Sequence, residues 1–68
     1  MIEAVQERLR EKRIKLNLTQ EAVARKLKMA QSTYAGYETG KRQPDIETLS
    51  KLADFFETST DYLLGRYN

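Results

Sequence analysis

The chain has 68 residues, 32% of them charged, and neither cysteine nor histidine. Disulfide staples and the commonest zinc sites are therefore excluded, and a chain this short buries only about 60% of its unfolded surface, so it has to pack closely as one domain. The net charge of +2 is unevenly spread: residues 8–42 carry ten basic side chains against three acidic ones, while residues 45–68 carry two against five. Such an asymmetry suits a polyanionic partner for the basic part, or simply a solvated surface. Nothing approaches the ~18–20 apolar residues of a membrane span, and the N-terminus MIEAVQERLREK lacks the basic-then-apolar order of a secretory signal. A soluble cytoplasmic domain is expected.

Proline occurs once, and β-branched residues never alternate with polar ones over the length of a strand. Helical spacing recurs instead, and an all-α chain of five short helices follows. The first covers residues 2–16, with Val5, Leu9, Arg13 and Leu16 on one face. Asn17 suits its end, because asparagine tolerates the left-handed conformation that closes a helix. Thr19 offers a capping oxygen to a second helix over 19–27, with Leu18 and Val23 as a hydrophobic staple. Its apolar positions are Val23, Ala24 and Leu27, and Arg25, Lys26 and Lys28 sit where the helix dipole favours cations.

A third helix spans 30–38. Ala30, Thr33, Tyr34 and Tyr37 share one stripe, and Ser32, Ala35, Gly36 and Thr39 point the other way. Core packing accounts for the tyrosines, whose hydroxyls would reach the surface or a phosphate. Gly40 ends this helix, and KRQPD is a loop. Pro44 lies near the start of a fourth helix over 45–56, with Asp45 in its first turn. Ile46, Leu49, Leu52, Ala53 and Phe56 recur there at helical spacing. Thr58 or Ser59 caps a fifth helix, 59–64, ended by Gly65. The second and third helices are too close in sequence to run antiparallel comfortably, so they should cross steeply, as a helix-turn-helix does.

From Gln20 to Thr39 the sequence resembles the helix-turn-helix signature of the bacterial and phage repressors of the Cro/C1 type, to which lambdoid phage repressors belong. Ala24 meets the small position of the first helix of the pair, and Val23, Leu27, Met29, Tyr34 and Tyr37 match the apolar spacings. KRIKLNLTQ before the motif, and YETGKRQPD, LSKLADFF and STDYLLG after it, extend the likeness over nearly the whole chain. Three departures stand out. Lys28 fills a turn position that is usually glycine, so a side chain is asked to take a left-handed conformation there. Ala30 stands where serine or threonine often caps the recognition helix. FFET precedes Ser59 where many relatives have glycine and valine.

The resemblance implies a compact five-helix, lambda-repressor-like domain whose third helix enters the DNA major groove. Gln31 would then read a base, since its amide can serve adenine N6 and N7 together; Ser32 would discriminate weakly, and Ala35 offers a methyl to thymine. Gly36 stands where relatives often carry a longer, base-reading side chain, and either lets the helix approach the DNA closely or marks a tolerant site. Gln20 would hold one phosphate, aided by backbone N–H groups at its helix N-terminus. Thr33, Thr39, Lys41, Arg42 and Gln43 would hold others, and Arg13 with Glu38 would form an ion pair beneath the DNA-binding surface. The bland reading of the exposed members is a solvated polar face and loop.

Repressors of this kind bind palindromic double-stranded operators as homodimers, with half-sites about 34–36 Å apart. Tyr62, Leu63, Leu64 and Tyr67 are candidates for such an interface, although Leu63 and Leu64 could equally close the core. The expected function is sequence-specific transcriptional regulation, as a repressor of the phage or mobile-element kind. An antitoxin or a restriction–modification controller would use the same chemistry, and a helical protein-binding adaptor is the alternative from another class. No metal, cofactor or enzymatic activity is expected: the chain lacks histidine, cysteine and any G-x-x-x-x-G-K-S/T phosphate loop. It is either a natural small regulator or a module of a longer protein, with a possible protein partner or further C-terminal domain.

Overall fold

Five helices, each followed by a left-handed residue, make up the computed structural model, which describes residues 2–66. They are α1 (Ile2–Lys15), α2 (Gln20–Lys26), α3 (Gln31–Thr39), α4 (Ile46–Phe55) and α5 (Thr60–Leu63). Three have a side-chain N-cap. Thr19 Oγ1 accepts from the Ala22 N–H at 3.0 Å, Asp45 Oδ1 from Thr48 at 2.8 Å, and Ser59 Oγ from Tyr62 at 3.0 Å. Each bond satisfies one of the donors that a helix start leaves orphaned. Asp45 is thus the cap itself rather than a member of the first turn, and Ser59 rather than Thr58 caps α5.

At their other ends the helices behave alike. Asn17, Lys28, Gly40, Glu57 and Gly65 all have positive φ, between 55° and 86°. After four of them the next N–H donates five residues back: Leu18 to Arg13, Met29 to Ala24, Thr58 to Ala53 and Arg66 to Asp61, at 2.8–3.2 Å. This is the Schellman closure, which satisfies carbonyls that a helix end would leave bare. Helix α3 departs from it. The Gly40 N–H donates to the Gly36 carbonyl at 2.9 Å, and the Arg42 N–H reaches the same oxygen at 3.2 Å. Three of the five left-handed residues carry side chains, and a non-glycine residue there costs roughly 1–2 kcal/mol, less for asparagine. Glu57 occupies the glycine place noted in FFET, and Lys28 the one in the turn.

The buried apolar residues form one cluster: Val5 and Leu9 from α1, Val23 and Ala24 from α2, Tyr34 and Tyr37 from α3, Leu49, Leu52 and Ala53 from α4, with Phe56 and Leu63. Tyr34 and Tyr37 meet edge to face, their centroids 6.5 Å apart. Helix α3 packs on both α1 and α2, and α5 closes the other side against α1 and α4. The C-terminal region is fastened to α1 by polar contacts too. Arg8 Nη1 donates to the Tyr62 carbonyl at 2.7 Å while its guanidinium lies 4.2 Å from the centre of the Tyr62 ring, and the Tyr62 hydroxyl donates to Glu11 at 3.0 Å.

Three sequence expectations change here. Ile46 is 85% exposed: as the first residue of α4 it lies ahead of the turn that meets the core. Leu16, past the last helical residue of α1, is half exposed. Leu63 is fully buried and offers nothing to a partner, so of its two readings the core one holds. Leu64 and Tyr62 are partly buried, and Tyr67 lies outside the described residues.

Candidate nucleic-acid interface

Beneath α3 sits one buried carboxylate. The Glu38 side chain is 2% exposed and takes four hydrogen bonds: Arg13 Nε at 2.7 Å, Arg13 Nη2 at 3.0 Å, Gln20 Nε2 at 3.1 Å and the Tyr34 hydroxyl at 2.5 Å. Arg13 also donates from Nη1 to the Leu18 carbonyl at 2.9 Å. A buried charge is tolerable only when paired and hydrogen-bonded, and among the described residues no buried side-chain polar atom lacks a partner. Burial pushes the Glu38 carboxyl upward, but the bonds from Arg13, Tyr34 and Gln20 outweigh it and hold the group below its ordinary value. Burial first, and then the bond to Glu38, push the Tyr34 hydroxyl up, so it stays a donor. One carboxylate thereby joins α1, α2 and α3.

This network draws on two side chains expected near the DNA. The Gln20 amide points at Glu38 and gives it one N–H, which leaves the other N–H and the oxygen. The fully buried Tyr34 spends its hydroxyl on Glu38 rather than at the surface. Nothing in the apolar spacing reveals either choice; a buried acid needing donors is the only hint the sequence contains.

The opposite side of α3 stays open. Gln31, Ser32 and Thr39 are exposed, and Thr33 and Ala35 are partly so. Ala30 makes no side-chain cap bond and no acid lies in the first turn, so the positive end of this helix is not covered by a side chain of its own. The Thr39 hydroxyl donates back to the Gly36 carbonyl at 3.3 Å. Lys41, Arg42 and Gln43 are exposed just beyond the helix. Gly36 is neither open nor empty-faced: it is buried, and a Cβ built on it would lie 3.0–3.2 Å from Cβ, Cγ and Cδ of Arg42. An arginine stem thus lies where a side chain at position 36 would project.

Two helices joined at a left-handed residue, the second with a polar outer row, are the geometry of a helix-turn-helix. The sequence pattern of the family described as "Helix-turn-helix" matches residues 9–63. The chain belongs to the helix-turn-helix family. This helix-turn-helix chain is 52% identical over 60 residues to the HTH-type transcriptional regulator AnsR of Bacillus subtilis, covering 88% of the chain and 52% of AnsR. It is 44% identical over 59 residues to ImmR, a second HTH-type transcriptional regulator of that organism, covering 87% of the chain and 46% of ImmR. To the cryptic phage CTXphi transcriptional repressor RstR of Vibrio cholerae it is 38% identical over 63 residues, covering 93% of the chain and 56% of RstR. The helix-turn-helix chain therefore spans about half the length of the curated relatives it matches. No helix among the described residues is long and apolar enough to cross a membrane.

Proposed function

We propose that this chain is the sequence-specific DNA-binding part of a transcriptional regulator, acting as a repressor on a palindromic operator that two copies share. The observation that carries the reading is the outer row of α3: Gln31, Ser32, Ala35 and Thr39 stand clear of the core, on a helix held from beneath by Glu38. In the major groove Gln31 would take adenine N6 and N7, Ala35 a thymine methyl, and Ser32 either a donor or an acceptor. Thr33, Lys41, Arg42 and Gln43 would hold phosphates, and the uncapped N-terminus of α3 adds a partial positive charge beside the groove. Gln20 would offer a phosphate its second amide N–H and its backbone N–H, its first amide N–H being given to Glu38. Repression follows if the bound dimer occludes a promoter. For the dimer itself Tyr62 and Leu64 remain candidates, with Tyr67.

Selection of binders from a random duplex pool by the 68-residue chain tests the reading. A palindromic winner with half-sites one turn apart, losing its sequence preference with Gln31→Ala, is the expected result. Failure to bind any duplex at low salt would overturn it.

A further inference from the structure

Gly36 is the one place on the outer half of α3 where the chain omits a side chain, and Arg42 lies across the gap. Two features hold Arg42 there. Its backbone N–H donates to the Gly36 carbonyl at 3.2 Å, replacing the Schellman bond that closes the other four helices. Its aliphatic stem lies so close that a methyl at position 36 would meet three of its carbons at 3.0–3.2 Å. Ordinary carbon contacts begin near 3.5 Å, so the stem and a Cβ cannot both keep their places. The Arg42 guanidinium itself has no hydrogen bond or ion pair among the described residues, and the side chain is exposed.

We infer that Gly36 is a positioning residue for Arg42: the bare glycine lets an arginine from the following loop lie along the recognition helix and deliver its guanidinium to the DNA in the place of a side chain at position 36. The inference rests on the DNA-binding reading above. Arginine's stem packs on apolar surface while its head stays hydrated, so a flat strip of helix backbone is a suitable bed for it. The gain over a side chain grown from α3 is reach, because the loop start lies beyond the last turn of the helix. The cost is a glycine in a helix interior, ~1 kcal/mol against alanine.

The test is a double-mutant cycle on the 68-residue chain with Gly36→Ala, Arg42→Ala and the pair, reading duplex affinity at several salt concentrations on one selected operator. Each single variant should weaken binding about tenfold and lower the log–log salt slope by ~0.9, and the double variant should be no weaker than Arg42→Ala alone. Arg42→Lys should keep the salt slope. In the free protein, nuclear Overhauser contacts between the Gly36 Hα protons and the Arg42 methylenes should be seen. Binding by Gly36→Ala equal to wild type, or strictly additive losses, would overturn the inference while leaving DNA binding intact. Absence of those contacts would overturn it without reference to DNA. A wild-type chain that binds no duplex would remove the functional reading and this inference with it.

Discussion

At the scale of single residues, Glu38 decides the most. Its carboxylate collects a guanidinium, an amide and a phenol inside the domain, and its pKa lies below the ordinary 4.5 in consequence. As pH falls, the unfolded chain takes up this proton near 4.5 while the folded chain still refuses it. The stability that Glu38 contributes is therefore complete above that value and drains away as pH drops toward the depressed folded pKa. Thermal melts of the wild type should show a falling Tm below about pH 4.5, and Glu38→Gln should show a shallower fall. Asp45 will keep a residual slope, since its bond to the Thr48 N–H lowers its pKa as well. Arg13→Ala leaves the carboxylate buried without its cation and should cost about 3–5 kcal/mol, close to all a domain of this size holds, so circular dichroism should find it largely unfolded at 37 °C. Gln31→Ala belongs to this scale too. It should leave the melt unchanged and cost about 1–3 kcal/mol of discrimination at one operator position, read by competition between single-base variants of the selected site.

At the scale of elements, the left-handed helix ends are the feature with measurable consequences. Lys28 joins α2 to α3 at φ 60°, and Glu57 follows α4 at φ 55°. Glycine at either place removes the steric penalty but loosens the unfolded chain, so Lys28→Gly should gain up to about 1 kcal/mol, a rise of roughly 4–8 °C in Tm. No rise would mean that the lysine side chain contributes something that offsets its strain. How the helices could be read from the sequence follows from the same local physics. Thr19 and Ser59 announce starts, Asn17, Gly40 and Gly65 announce ends, and Val5, Leu9, Leu49 and Leu52 carry the period. What was hidden depends on contacts between elements. Periodicity put Ile46 in the core because it continues the stripe of Leu49 and Ala53, but a residue at the first position of α4 has no neighbour to cover it. The burial of Gly36 depends on a stem six residues away, and the inward turn of Gln20 on an acid eighteen residues away. No spacing rule reaches that far. For the candidate DNA surface, the outward placement of Gln31, Ser32 and Thr39 was legible because it is the complement of the tyrosine stripe. The bond from Gln20 to Glu38 and the Arg42 stem over Gly36 were not.

At the scale of the whole molecule, charge and topology govern behaviour. Ten cations against three acids in residues 8–42 predict duplex affinity that falls steeply with salt, each phosphate neutralised adding ~0.9 to the log–log slope. Lys41→Ala should flatten that slope by about one such step and weaken specific and random duplexes alike, in contrast to Gln31→Ala. The same global view bears on the fastening of α1 to α5. Arg8 meets Tyr62 across 54 positions of sequence and Tyr62 meets Glu11 across 51, so the contacts that secure the first helix span most of the chain. On a ribosome adding about 5–20 residues per second, Arg8 is made roughly 3–11 seconds before Tyr62. During that interval α1 can pack on α3 but has no α5 to rest on, so the part of it that α5 covers stays open. The fold therefore cannot be completed helix by helix as the residues emerge: α1 gains its polar clasp only when α5, more than fifty positions later, arrives to hold it.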